Sequence, residues 1–164
     1  MDDFEKFYKA SINFLSFRPR SEKEMRDYLS KKIKNQKSKI KIDEGIIERI
    51  IESLKRTKFI DDEEFARRFV EQRTTIKPKA NRVIKYELKQ KGIAPELIDQ
   101  LFEDKENSKG TDFSKALDLA ERKMPRFTKI EDKRKVYEKL GRYLASKGFD
   151  WDTVKKVIDQ VLRK

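Results

Sequence analysis

Apolar residues recur along this chain at intervals of three and four, the spacing of one face of an α-helix. Phe4, Phe7, Tyr8, Ile12 and Leu15 make the first stripe. It stops at Arg18-Pro19, because a proline disfavours helical backbone in the residue before it. Ser21 opens a second helix. Glu24 stands three residues on, where the serine hydroxyl and the glutamate carboxylate each accept from an otherwise unpaired backbone N–H. Met25, Tyr28 and Leu29 give this helix its buried stripe. A polar stretch, KKIKNQKSKIK, runs on to Asp43, after which Ile46, Ile47, Ile50, Ile51 and Leu54 mark a third helix.

The segment FIDDEEF restarts the pattern. Asp61 caps a fourth helix, Glu64 sits at its third position, and Ile60 is placed to staple against Phe65. Four consecutive acids also suggest a metal site, but acids at a helix start are normally caps and partners of the helix dipole. This helix runs through Phe69 and Val70 to Arg73. After TTIKPKAN a fifth helix carries Val83, Ile84 and Leu88 and ends at Lys91-Gly92, a glycine suited to the left-handed cap position. Pro95 starts a sixth, with Leu97, Ile98, Leu101 and Phe102. The linker DKENSKGTD, polar and without apolar anchors from Asp104 to Gly110, reads as a hinge. Beyond it stand a seventh helix around Ala116, Leu117 and Ala120, an eighth with Val136, Leu140 and Leu144, and a ninth with Val154, Val157, Ile158, Val161 and Leu162.

Setting Lys91-Gly92 against Lys147-Gly148 pairs Ile84 with Leu140, Leu88 with Leu144, Ile98 with Val154, Leu101 with Val157 and Phe102 with Ile158. The first helices join the register when Leu29 is set against Leu88, which places Met25 on Ile84. A three-helix module is therefore repeated, with boundaries at 1–60, 61–103 and 104–164. The fold class is all-α.

Charge then narrows the function. The 164 residues hold 42 Lys and Arg against 30 Asp and Glu, a formal net charge of +12 concentrated toward both ends, so an acidic partner is favoured. There is no Cys and no His, which removes disulfides, thiolate metal sites and the commonest general base. Glycine-rich phosphate loops and nucleophile elbows are absent, so the chain is read as no enzyme and as needing no cofactor. No apolar run approaches the roughly 18 residues of a membrane span, and MDDFEKFYK lacks a signal-peptide pattern. A soluble cytoplasmic protein without membrane association is expected. The single Trp151 follows the cap residue Asp150 and reads as a first-turn staple onto the core rather than as a base-stacking platform.

Helix, glycine turn, helix also suits a DNA reader, in which the helix after the turn should present basic or amide side chains. Here that helix reads PELIDQLFED, with Glu96, Asp99, Glu103 and Asp104 outward. The cations lie on the helices before the turn. Lys23 and Arg82 stand six residues before Leu29 and Leu88, and Arg26 and Lys85 stand three before, so two modules repeat one basic edge. Lys85 and Lys89 extend it from Arg82 at spacings of three and four. Lys135, Lys139 and Arg142 give the third module a stripe of its own.

The segments RPRSEKEMRDYL, LKRTKFIDDEEFARRFVEQR and YELKQKGIAPELI together strongly resemble the RecX family of recombination regulators, over nearly the whole chain. In that family the opening arginines and serine start the second helix of the first module, the Asp pair starts the second module, and the Lys-Gly turn closes its middle helix. Arg18, Arg20, Ser21, Asp61, Asp62, Lys91 and Gly92 occupy those positions. A glycine frequent ahead of the middle helix is replaced here by KPKAN. The resemblance implies three tandem three-helix modules in an elongated, curved monomer that lies in the groove of a RecA-type recombinase filament and restrains its activity. Contact with single- or double-stranded DNA stays open, and a basic helical DNA-binding protein acting without a recombinase is the alternative. The candidate partner or nucleic-acid contacts are Arg18, Arg20, Lys23, Arg26, Arg67, Arg68, Arg73, Arg82, Lys85, Lys89, Lys135, Lys139 and Arg142. Arg18 and Arg20 serve equally well as corner residues holding two helices.

Overall fold

In a computed structural model that describes residues 1–36, 45–103 and 110–163, the regular structure is helical throughout. The order is α1 (Asp3–Phe17), α2 (Glu22–Lys34), α3 (Ile46–Arg56), α4 (Asp62–Thr75), α5 (Asn81–Gln90), α6 (Pro95–Glu103), α7 (Asp112–Lys123), α8 (Lys133–Ser146) and α9 (Trp151–Arg163). The spacing places all nine helices. A short 3-10 turn over Met124–Phe127, with Pro125 in its first turn, was not legible as an element. Asp43, part of the lysine-rich loop and most of the expected hinge lie outside the described residues.

The chain packs as two compact units, one of Met1–Ala66 with Lys89–Ala94 and one of Arg67–Leu88 with Pro95–Lys164. In the first, α1, α2 and α3 enclose Phe7, Met25, Leu29, Ile50, Ile51, Leu54 and Ile60, all essentially without solvent contact. Ser11 shares that interior because its hydroxyl donates to the Phe7 carbonyl at 2.9 Å, which satisfies the one polar group the stripe carries. Phe14 stacks on Tyr28 with ring centres 4.0 Å apart.

In the second unit, α7, α8 and α9 enclose Ala116, Ala120, Leu140, Leu144, Val154, Val157 and Ile158, joined by Ala80. Small residues on α7 let its backbone approach α9 closely. Burial of the aligned pairs Ile84/Leu140, Leu88/Leu144, Ile98/Val154 and Phe102/Ile158 follows the repeat register.

Candidate partner-binding surface

The residues singled out by the resemblance, Arg18, Arg20, Ser21, Asp61, Asp62, Lys91 and Gly92, cluster at the N-terminus of α2, inside the first unit. Ser21 caps α2 with a complete capping box: its Oγ accepts from the Glu24 N–H, and Glu24 accepts from the Ser21 N–H at 3.0 Å. The same hydroxyl donates to the Lys91 carbonyl at 2.7 Å, so one side chain closes a helix start and a distant turn. Asp62, at the start of α4, accepts from the Glu22 N–H at 2.8 Å. Asp61 caps α4 itself through the Glu64 N–H. The Asp pair is therefore used in helix ends rather than held free for a metal.

Charge locks this corner. Glu24 Oε1 takes Arg18 and Lys91 Nζ, each at 2.7 Å. Burial alone would raise the Glu24 carboxyl, but the bonds from Arg18, Lys91 and the Ser21 N–H outweigh it and hold the group at about 2. The Arg20 guanidinium carbon lies over the Phe14 ring, 3.9 Å from its centre. Its Nε is buried with no hydrogen-bond partner, and burial followed by the neighbouring Arg18 charge lowers its pKa. Arg18 and Arg20 are thus both engaged in the corner. Gly92 turns in the left-handed region at φ +75°, and a Cβ there would stand 2.6 Å from Lys23 Cβ.

A second junction of the same plan lies within the second unit. The Ala80 N–H donates to the Lys147 carbonyl at 3.0 Å. Asp112, first residue of α7, accepts from the Asn81 N–H at 2.8 Å, as Asp62 does for Glu22. Thr111 caps α7, as Asp61 caps α4. Gly148 turns at φ +91°, against Val83. Arg82 Nε donates to the Gly148 carbonyl at 2.6 Å. Lys115, only 1% exposed, reaches Asn81 Oδ1 and stands 3.6 Å from Asp112. No sequence signal separated Lys115 from the surface lysines, since its burial comes from the helices packed around it.

The thirteen candidate cations fall into groups of different availability. Arg26 is held by Glu22 at 2.8 Å and by Glu48, and the Glu48 bond is the main reason its pKa is raised. Lys23 is exposed and pairs with Asp27 at 3.2 Å. Arg73 donates to Glu87 at 3.1 Å and lies over Phe69. Lys85 sits 5.0 Å from the Phe102 ring centre. Arg67 and Arg68 are exposed on α4, and each has a partner interaction. Lys89 is exposed near the end of α5.

On α8 the picture differs. Lys135 and Lys139 are exposed, and among the described residues neither has a hydrogen bond or ion pair. Arg142 makes only a 3.5 Å contact to the Glu138 carbonyl of its own helix. The helix's one carboxylate, Glu138, is matched by Arg134 at 3.3 Å. By contrast α6, the helix after the first Lys-Gly turn, exposes Glu96, Asp99 and Glu103, while Asp104 lies outside the described residues. The exposed cations Lys135, Lys139 and Arg142 thus stand on a helix before a Lys-Gly turn.

Trp151 departs from expectation. It does not staple onto the core but stands 60% exposed, with its ring meeting α8 at Gly141, where a Cβ would lie 3.9 Å from the indole. With Tyr137, whose ring meets the indole edge-on at 6.4 Å, it borders a cleft of about 440 Å³ also lined by Glu138, Gly141, Arg142 and Ala145. The run Tyr137, Gly141, Ala145 at spacings of four was the available signal: an aromatic above two small residues leaves a depression beside it.

Family models match in chain order: the first three-helix domain of RecX at residues 8–33, the second at 61–101 and the third at 111–158. The regulatory protein RecX of Clostridioides difficile is 34% identical over 163 residues, covering 98% of this chain and 71% of the relative. That of Chlorobium phaeobacteroides is 34% identical over 161 residues, covering 98% of this chain and 97% of the relative. The crystal structure of RecX from Lactobacillus salivarius aligns with a TM-score of 0.69 at 28% identity, over 99% of each chain. With three RecX domains matched in order and relatives above 30% identity along nearly its full length, the chain belongs to the RecX family of regulatory proteins.

Proposed function

We propose that this protein binds in the groove of a RecA-type recombinase filament and restrains recombinase activity, acting as a cytoplasmic, non-catalytic monomer in recombination and repair. Its working divisions are the three modules 1–60, 61–103 and 104–164. The observation that carries the reading is the α8 face, on which Lys135 and Lys139 have no partner among the described residues, while most other candidate cations are used within the fold. Unpaired cations on a rigid helix suit an acidic partner at low desolvation cost. Arg18, Arg26 and Arg82 are instead bonded within their own units, to Glu24, to Glu22 and to the Gly148 carbonyl. No described helix is long and apolar enough to cross a membrane, in keeping with a soluble partner.

The test compares binding to a RecA filament with binding to bare single-stranded DNA of equal length, alongside the recombinase's DNA-dependent ATPase. Tighter binding to the filament and a lowered ATPase are expected, and Lys135→Glu with Lys139→Glu should weaken both most strongly at low salt. Equal affinity for filament and bare strand would favour a DNA-binding protein that acts without a recombinase. Arg82→Glu is a poor probe of the same idea, because it also breaks the bond to the Gly148 carbonyl.

A further inference from the structure

We infer that the face of α8 carrying Lys135, Lys139 and Arg142 is a docking site for a second copy of this chain, which lays its own α6 along it. Both faces lie open. On α8 the three cations are exposed, and among the described residues Lys135 and Lys139 have no hydrogen bond or ion pair. On α6 Glu96, Asp99 and Glu103 are exposed in the same condition, and the helix, PELIDQLFE, holds no cation. One chain thus presents two stripes of opposite sign that do not pair with each other among its described residues.

Register selects the occupant. Glu96, Asp99, Gln100 and Glu103 stand at i, i+3, i+4 and i+7, the spacing on which α8 carries Lys135, Glu138, Lys139 and Arg142. Laid side by side in one direction, the two helices set Glu96 against Lys135, Asp99 against Lys139 and Glu103 against Arg142. The one carboxylate of the basic stripe, Glu138, then meets Gln100, whose amide donates to it. The α9 helix offers no such match: the residues aligned with the α6 stripe are Asp152, Lys155, Lys156 and Asp159, and Lys155 would face Lys139. Because each copy offers one α6 and one α8, the contact runs head to tail and can repeat. Exposed ion pairs are individually weak, so a dissociation constant of roughly 1 mM is expected. A copy whose α8 is covered cannot present those cations to an acidic partner, so the copy that acts on one is a free monomer; this consequence alone rests on the proposed function.

Amide NMR spectra of the full chain, recorded from dilute to millimolar protein, test the contact. No recombinase or nucleic acid is present, so failure here leaves the regulatory reading standing. At about 0.15 M salt the Debye length of about 8 Å screens the mutual repulsion of two chains of charge +12 while touching pairs still attract. Concentration-dependent shifts are therefore expected in α6 and α8. They should shrink at about 0.01 M, where the repulsion reaches about 30 Å, and at about 1 M, where the pairs are screened too. Glu96→Gln with Asp99→Asn and Glu103→Gln should abolish the shifts, as should Lys135→Gln with Lys139→Gln and Arg142→Gln. Mixed together, the two triple variants should pair again, one to one and no further, because one keeps α8 and the other keeps α6. Gln100→Glu should weaken the contact about threefold, although it makes α6 more acidic, because it brings a second carboxylate to Glu138. Absence of shifts at millimolar protein, shifts confined to other helices, or a mixture that does not pair would overturn the inference. A tighter contact in Gln100→Glu would overturn it as well, since attraction without register gains from every added acid.

Discussion

The two junctions are built to one plan from different chemistry. At each, the first residue of a module's opening helix is an aspartate that accepts from the first N–H of the preceding module's middle helix: Asp62 from Glu22, and Asp112 from Asn81. At each, a Lys-Gly turn closes on the residue before that middle helix. The first junction makes this closure with the Ser21 hydroxyl and surrounds it with Glu24, Arg18 and Lys91. The second makes it with the Ala80 N–H, places Val83 where Glu24 stands, and buries Lys115 where the first has Phe65. Backbone geometry is therefore the shared part, and side-chain chemistry varies as long as each helix end is satisfied.

The largest separation between the two should come from Lys115. Lys115→Ala removes a buried ammonium from Asn81 and Asp112 and leaves a void, and is expected to cost about 3–5 kcal/mol. Lys115→Met, which keeps the stem without the charge, should cost less than half as much. Urea unfolding followed by circular dichroism measures both; a loss below about 1 kcal/mol for the alanine variant would mean that the second junction does not depend on this lysine.

A smaller difference is expected at the turns. Gly148→Ala must adopt left-handed backbone and also push on Val83 Cγ2, 2.2 Å from the new Cβ, whereas Gly92→Ala meets the Lys23 stem at 2.6 Å. A valine is stiff at its first torsion while a lysine stem can partly swing aside. Losses of about 3 and about 2 kcal/mol are expected, read as the order of two melting temperatures. Reversal of that order would show the first turn to be the tighter one.

Acid should act on the first junction through Glu24. Its folded pKa, about 2 against an ordinary 4.5, lies below the unfolded value. Its stabilisation is therefore complete above about pH 4.5 and is lost as pH falls toward 2. With its solvent-facing side allowed for, the loss is about 2 kcal/mol. Asp62 works in the opposite sense: burial raises its pKa, so protonation returns a little stability. The second junction has no counterpart of Glu24. Glu24→Gln should thus flatten the acid limb of a stability-against-pH curve, and an unchanged limb would place the sensitivity elsewhere.

Helix positions, caps and left-handed glycines were legible because each depends on neighbours within one turn. Ser21 and Glu24 are three residues apart, and Gly92 and Gly148 each stand two residues past the end of a helix. The repeat register was legible for a related reason, since stripes that bury against similar neighbours keep similar spacing. The candidate surface was only half legible. Spacing put Arg82 and Lys135 alike on outward faces, yet Arg82 is spent on the Gly148 carbonyl 66 residues away, while Lys135 has no hydrogen bond or ion pair among the described residues.

Local spacing and charge thus determined an all-helical chain of repeated modules, poor in catalytic groups and rich in cations. Tertiary structure decided which cations are bonded among the described residues, that Lys115 is buried, that Trp151 stands open beside a cleft, and that the packing units divide within α4. The physical reason is range. A cap or a stripe is settled over a few bonds of chain, where sequence distance and spatial distance agree. An ion pair, a buried ammonium or an uncovered indole depends on what a distant segment brings alongside, and that partner is fixed only once the helices have packed.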